Sequence, residues 1–183
     1  MNNVMIDIET LGVSVTAPIL SVGAVFFTPE TGSLGKEFYQ IVSIKSALEH
    51  GVVEPATLSW WMQQSRDARS IFYDKSSVSL PETLTALGQF MAANTDPLTV
   101  NVWGNGSSFD NAILSNIYNR LGMKLPWNFR NDRDVRTIVH LANIIKNKNV
   151  LNLNHREGVH HNALDDAKYQ AKYVATAYSL LSE

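Results

Sequence analysis

The sequence predicts one α/β domain: a central mixed sheet of five strands, the first three antiparallel, flanked by helices. Three observations lead there. The first forty-odd residues hold two β-rich apolar runs and a third strand-like run behind a turn signal. From about residue 44 the apolar period becomes helical, and one short apolar run, Leu98–Trp103, interrupts the helices before they resume.

Val4–Glu9 begins as a buried strand whose last residues turn polar on one face. Ile19–Phe27 is apolar and β-rich. It ends at the turn Pro29-Glu30-Thr31-Gly32, after which Glu37–Val42 reads as the returning strand of an antiparallel meander. Ser46–His50 and Ala56–Tyr73 have helical spacing. Ser79-Leu80-Pro81-Glu82 is a helix start with a capping serine, an early proline and a glutamate three residues on. Leu98–Trp103 is a strand ending in Gly104-Asn105-Gly106. Ser107 then opens a helix with Ile113, Leu114, Ile117 and Leu121 on its apolar stripe. One more short strand is expected near Trp127, followed by helices over Asp134–Ile145 and Asn162–Leu181.

The chain has 183 residues, 45% hydrophobic and 17% charged, which suits a single domain over residues 1–183 and excludes a disordered protein. No apolar run approaches the roughly 18 residues of a membrane span, and no basic segment precedes an apolar stretch at the start. A soluble, unexported, cytoplasmic protein is expected. The lack of cysteine excludes disulfides, thiolate metal sites and cysteine nucleophiles. The formal charge of −2 hides an asymmetry: residues 1–119 carry a net −6 and residues 120–183 a net +4. A basic surface beside an acidic site is compatible with a phosphate-rich substrate, and solvated surface charge explains it equally well.

Three acidic elements stand out. Asp7 and Glu9 are two apart on a strand, so both leave the same face. Buried together without a cation they would repel, and a divalent metal removes that conflict; an exposed strand end is the simpler alternative. Asp110 follows the strand-and-turn that should lie beside the first strand, where active sites of α/β folds gather. Ser107-Ser108-Phe109-Asp110 also fits a capping box, which would give Asp110 a purely structural role. Third, in His161-Asn162-Ala163-Leu164-Asp165-Asp166, Asn162 can cap the last helix with Asp165 at its third position. That leaves Asp166 on another face, free to meet Asp7 and Glu9. His161 stands just outside the helix.

Taken in order, D-x-E on the first strand, W-G-N-x-x-x-F-D, and H-N-A-L-D-D-A resemble the DEDDh class of the DnaQ-like (RNase T-like) 3′–5′ exonuclease superfamily across nearly the whole chain. The opening Asp-Ile-Glu-Thr-Leu-Gly and Leu58–Ser65 are most similar to its compact phage and prophage members, some described as exodeoxyribonuclease VIII-like. The resemblance implies a ribonuclease H-like fold, with Asp7, Glu9, Asp110 and Asp166 as the four acids and His161 as the histidine of the subclass. It also implies two Mg²⁺ (or Mn²⁺) ions, which suit an oxygen-only donor set. His161 becomes the general base, and the product a nucleoside 5′-monophosphate released from the 3′ end of nucleic acid. Thr10 and Leu11 fall where relatives meet the terminal sugar and base, and several relatives of this size are homodimers.

Trp60 and Trp61 offer aromatic platforms for bases, though neighbours on a helix cannot both face one pocket. Phe109 sits beside Asp110, as core or as a wall of the site. Arg130, Arg133, Arg136, Lys146 and Lys148 are candidates for phosphate contacts. A 3′-end-binding or polymerase-associated proofreading module is the rival reading.

Overall fold

The computed structural model describes all residues, Met1–Glu183. Its sheet has five strands in the order β3-β2-β1-β4-β5. Strands β1 (Asn3–Thr10), β2 (Ile19–Thr28) and β3 (Ser33–Ile41) form the antiparallel meander, and β4 (Asn101–Gly104) and β5 (Asp132–Asp134) add in parallel on the other side of β1. The helices are α1 (Ile44–His50), α2 (Pro55–Trp61), α3 (Leu80–Asn94), α4 (Asp110–Arg120), α5 (Val135–Lys146) and α6 (Ala163–Ser182). No helix is long and apolar enough to cross a membrane.

Two expected elements differ. The helix foreseen over Ala56–Tyr73 stops at Trp61, and a separate 3₁₀ turn covers Ala68–Phe72. Ser65 causes the restart: its hydroxyl accepts the Ala68 N–H at 3.1 Å, a side-chain bond that replaces continued helix. Strand β4 starts at Asn101 rather than Leu98, because the Thr99 and Val100 N–H groups turn back to the Asp96 carbonyl.

Strand periodicity divides the core into two layers. Val4, Ile6 and Ile8 pack with Leu84, Leu87 and Met91 of α3 and with Ile113, Leu114 and Ile117 of α4. Met5, Val25, Phe27 and Trp103 face the opposite way, against Val135, Val139 and Ala142 of α5 and Ala167, Ala171 and Val174 of α6. Asp7 and Glu9 share the parity of Met5, so they lie on the α6 face, at the end of the strand where the apolar packing stops.

Gly23 sets how closely α6 approaches. It pairs with Asp7 across β1 and β2, and the first turn of α6 lies directly on it. A Cβ there would stand 2.2 Å from the Ala163 carbonyl carbon and 2.3 Å from the Leu164 nitrogen. Both are backbone atoms that no rotamer change can move. Gly23→Ala should therefore lower the stability measured by denaturant melts by about 1–3 kcal/mol, the usual cost of overpacking. Gly88 of α3 has nothing within 4 Å of its would-be Cβ. Gly88→Ala should leave stability unchanged or raise it by up to about 1 kcal/mol.

Candidate active site

The ends of β1 and β4 and the first turns of α4 and α6 enclose a cleft of about 520 Å³ lined by Asp7, Glu9, Asp110, His161 and Asp166. Glu9, Asp110 and Asp166 are buried and Asp7 is half-buried. Residues up to 159 positions apart are thus brought into one cluster from β1, α4 and the start of α6.

Asp7 and Glu9 come from β1, and Asp7 Oδ1 accepts a 2.6 Å hydrogen bond from Gln170 Nε2. Asp110 opens α4 and turns inward, its Oδ1 accepting the Ile8 N–H at 3.2 Å. The capping box considered for this helix does not form. Phe109 holds the cap position without a side-chain bond, and the Ser107 N–H goes to Asp134 Oδ2 at 2.7 Å. On α6 the expected cap is present: Asn162 Oδ1 accepts from Leu164 and Asp165. Asp165 ties down the preceding loop through the Val159 N–H at 2.8 Å. Asp166 is left facing the cleft, where it pairs with Arg156 and its Oδ2 accepts the His161 N–H at 3.1 Å.

His161 has a left-handed backbone, φ 65°, unusual for a residue with a side chain. The turn swings its ring onto Trp60, edge to face with centroids 4.7 Å apart, and against His160 at 3.9 Å. One ligand atom each from Glu9, His161 and Asp166 lies within 4.8 Å of the others. An oxygen-rich set with one imidazole suits a hard or borderline divalent cation.

The aromatic and apolar candidates divide. Trp60 is exposed and lines the cleft, as does half-buried Phe109. Both also line an adjoining pocket of about 430 Å³ with Thr10, Gly12, Val13, Glu54 and Thr57. Leu11 and Trp61 are not in either wall. They are buried with Leu20, Ile41 and Ile71, and the Trp61 indole N–H donates to the Thr10 carbonyl at 2.8 Å. Of the five basic candidates, Arg136 alone lines the cleft; the second cation there is Arg156. Sequence reading passed over Arg156, Gln170 and Tyr173. The last two were accessible in principle, since they follow Asp166 by four and seven residues on one helical face.

Burial and mutual repulsion govern the charges. Burial, then the charges of Asp110 and Glu9, push the Asp7 carboxyl well above its ordinary 3.8, against the opposing Gln170 hydrogen bond. Glu9 is pushed up to about 8 by burial and by Asp110, with Arg156 opposing. Asp110 rises to about 7 through burial, held back by backbone N–H donors and Arg136. His161 is pushed down to about 4 by burial and by the charges of His160 and Arg156, so it is a neutral proton acceptor at pH 7.

The family model of the 3′-5′ exoribonuclease Rv2179c-like domain matches residues 2–178. An exodeoxyribonuclease of Enterobacteria phage T4 is 28% identical over 169 residues, covering 80% of this chain and 74% of that protein. Among solved structures, the nuclease domain of 3′hExo, a DEDDh family member bound to rAMP, superposes with TM-score 0.65 at 17% identity, over 97% of this chain and 91% of that one. The Mg²⁺- and Mn²⁺-bound form of S. pombe Pop2p gives TM-score 0.62 at 14% identity, over 97% and 83%. The ribonuclease H-like fold implied by the motifs is thus the fold observed.

Acids whose folded-state pKa lies above the unfolded value stabilise the protein at low pH and lose that contribution as pH rises. For Glu9 the window runs from its ordinary 4.5 to about 8. For Asp110 it runs from 3.8 to about 7. In chelator, the melting temperature should therefore fall between pH 5 and pH 8, and Glu9→Gln should flatten that slope in a thermal melt series. A melting temperature that rises across this range would contradict the assignment of buried, cation-free acids.

Proposed function

The chain belongs to the family of Rv2179c-like 3′-5′ exoribonuclease domains and is a DnaQ-like 3′–5′ exonuclease; from that premise we propose that it removes nucleoside 5′-monophosphates from the 3′ end of single-stranded nucleic acid at the carboxylate cleft. The observation that carries this reading is the convergence of Asp7, Glu9, Asp110, Asp166 and His161 on one cavity.

Asp7, Glu9, Asp110 and Asp166 would hold two Mg²⁺ or Mn²⁺ ions. Glu9 and Asp166 already have carboxylate oxygens within 4.8 Å of each other, and the carboxyls raised by burial and by mutual repulsion are the groups a cation would relieve. Bound there, such ions supply charge neutralisation at the phosphodiester and a more acidic water. The remaining chemistry falls to the protein. A water oxygen bonds to phosphorus, the bond from phosphorus to the 3′ oxygen of the preceding nucleotide breaks, the water proton passes to neutral His161, and the leaving 3′ oxygen takes a proton from solvent to become the new 3′ hydroxyl. Gln170 fixes the orientation of Asp7. Trp60 and Phe109 flank the terminal nucleoside, and Arg136 meets the phosphate on the 5′ side.

The test is degradation of 5′-labelled single-stranded RNA and DNA of one sequence in Mg²⁺, Mn²⁺ or EDTA. A ladder shortening from the 3′ end, present with metal and lost in EDTA, is expected. Asp7→Asn should abolish it. His161→Ala should slow it by about 10²–10⁴-fold, the usual worth of a general base, with metal binding retained. Folded protein that cleaves neither substrate with either metal would overturn the proposal.

A further inference from the structure

Besides Arg136, the cleft holds one more cation, Arg156, and neither bond making nor bond breaking at phosphorus calls on it. Its guanidinium pairs with Asp166, one of the four acids. The pair is largely shielded from water: the Arg156 side chain is 29% exposed and that of Asp166 10%. The charge also reaches beyond its partner. It draws the raised carboxyls of Asp7 and Glu9 back down and opposes protonation of His160 and His161.

Arg156 is fixed at its backbone rather than at its head group. Asn154 Oδ1 accepts the Thr176 hydroxyl at 3.0 Å, the Glu157 carboxylate pairs with Lys172 at 2.6 Å, and the Val159 N–H reaches Asp165 at 2.8 Å. All three partners belong to α6, so the loop is tied to that helix on both sides of Arg156. The side chain itself has one ion-pair partner, and its buried Nε has no acceptor in the protein. The guanidinium carbon lies 5.1 Å from the centre of the Tyr169 ring, another wall of the cleft. Such a face holds a cation without fixing which acceptor it uses.

A carboxylate that serves a divalent ion cannot keep a guanidinium at full strength, because the two cations repel at short range. On losing Asp166, Arg156 finds the other acids engaged: Asp7, Glu9 and Asp110 by the ions, Glu157 by Lys172. What remains anionic in the cleft is the substrate phosphate, and the planar fork of a guanidinium matches two phosphate oxygens. We propose that Arg156 has two partners: it competes with the divalent ion for Asp166 and, once displaced, holds the phosphate of the terminal nucleotide. This rests on the exonuclease reading of the cleft, which supplies both the ion and the phosphate.

Two titrations of chelator-stripped protein read the two partners separately. Calorimetry with Mn²⁺ alone reports the competition. Adenosine 5′-monophosphate, titrated at saturating Mn²⁺, reports the hold on phosphate without any turnover. Arg156→Gln should bind Mn²⁺ about tenfold more tightly than wild type and the monophosphate about tenfold more weakly, each about the worth of one charge-assisted hydrogen bond. Adenosine, which lacks the phosphate, should bind both proteins equally. Arg156→Lys keeps the charge and loses the fork, so its Mn²⁺ affinity should stay close to wild type while the monophosphate still binds more weakly.

A purely structural Arg156 would weaken Mn²⁺ and monophosphate binding together. That result in Arg156→Gln, or an unchanged affinity for either, overturns the proposal, and oligonucleotide degradation that persists beside it leaves the exonuclease intact. Opposite shifts in a protein that degrades no oligonucleotide would support the proposal and count against the exonuclease reading instead. No Mn²⁺ binding by wild type or variant overturns both.

Discussion

Burial of several carboxylates together in one cleft is the constraint around which this molecule is arranged. Asp7, Glu9 and Asp110 are each driven toward the protonated state by burial, and Asp7 and Glu9 also by their acidic neighbours. The surrounding protein answers with donors: the Gln170 amide on Asp7, the Ile8 N–H on Asp110, and Arg156 against Asp166. The first turns of α4 and α6 also point at the cluster, bringing the positive ends of two helix dipoles to it. Even together these leave the acids raised, a conflict that a bound cation would relieve.

Packing supplies the geometry that electrostatics alone would resist. Met5, Val25 and Phe27 anchor the middle of α6 to the sheet, and bare Gly23 lets its first turn descend onto β2 beside Asp7. The same turn holds His161 in its left-handed conformation against Trp60. Trp61, one residue on, is spent on structure: its ring fills the small core over β2, and its N–H fixes the Thr10 carbonyl at the rim of the adjoining pocket. One aromatic residue therefore lines the cleft, and its neighbour holds the wall.

Much of this was legible in the sequence because it depends on local periodicity. The spacing of Asp7 and Glu9 put them on one face, and alternation along β1 set that face against α6. What escaped depends on tertiary partners. Ser79–Glu82 and Ser107–Asp110 look alike as strings, yet only the first forms a capping box. Asp110 is drawn instead to the Ile8 N–H, 102 residues away, and Asp134 takes the Ser107 N–H in its place. The break between Trp61 and Ala68 turns on one hydroxyl. Arg156 was invisible because nothing in a loop sequence says which way the loop folds, whereas Gln170 was within reach through its spacing from Asp166.

The central claim is that a divalent cation replaces protons at Asp7, Glu9 and Asp110, and titration calorimetry tests it most directly. Mn²⁺ is titrated into chelator-stripped protein at pH 7, in buffers of different ionisation enthalpy, so that proton release is read from the buffer dependence of the heat. With Glu9 at about 8 and Asp110 at about 7, binding should release on the order of one proton per chain. Saturable binding whose heat does not vary with the buffer, or no binding at millimolar Mn²⁺, would contradict the account.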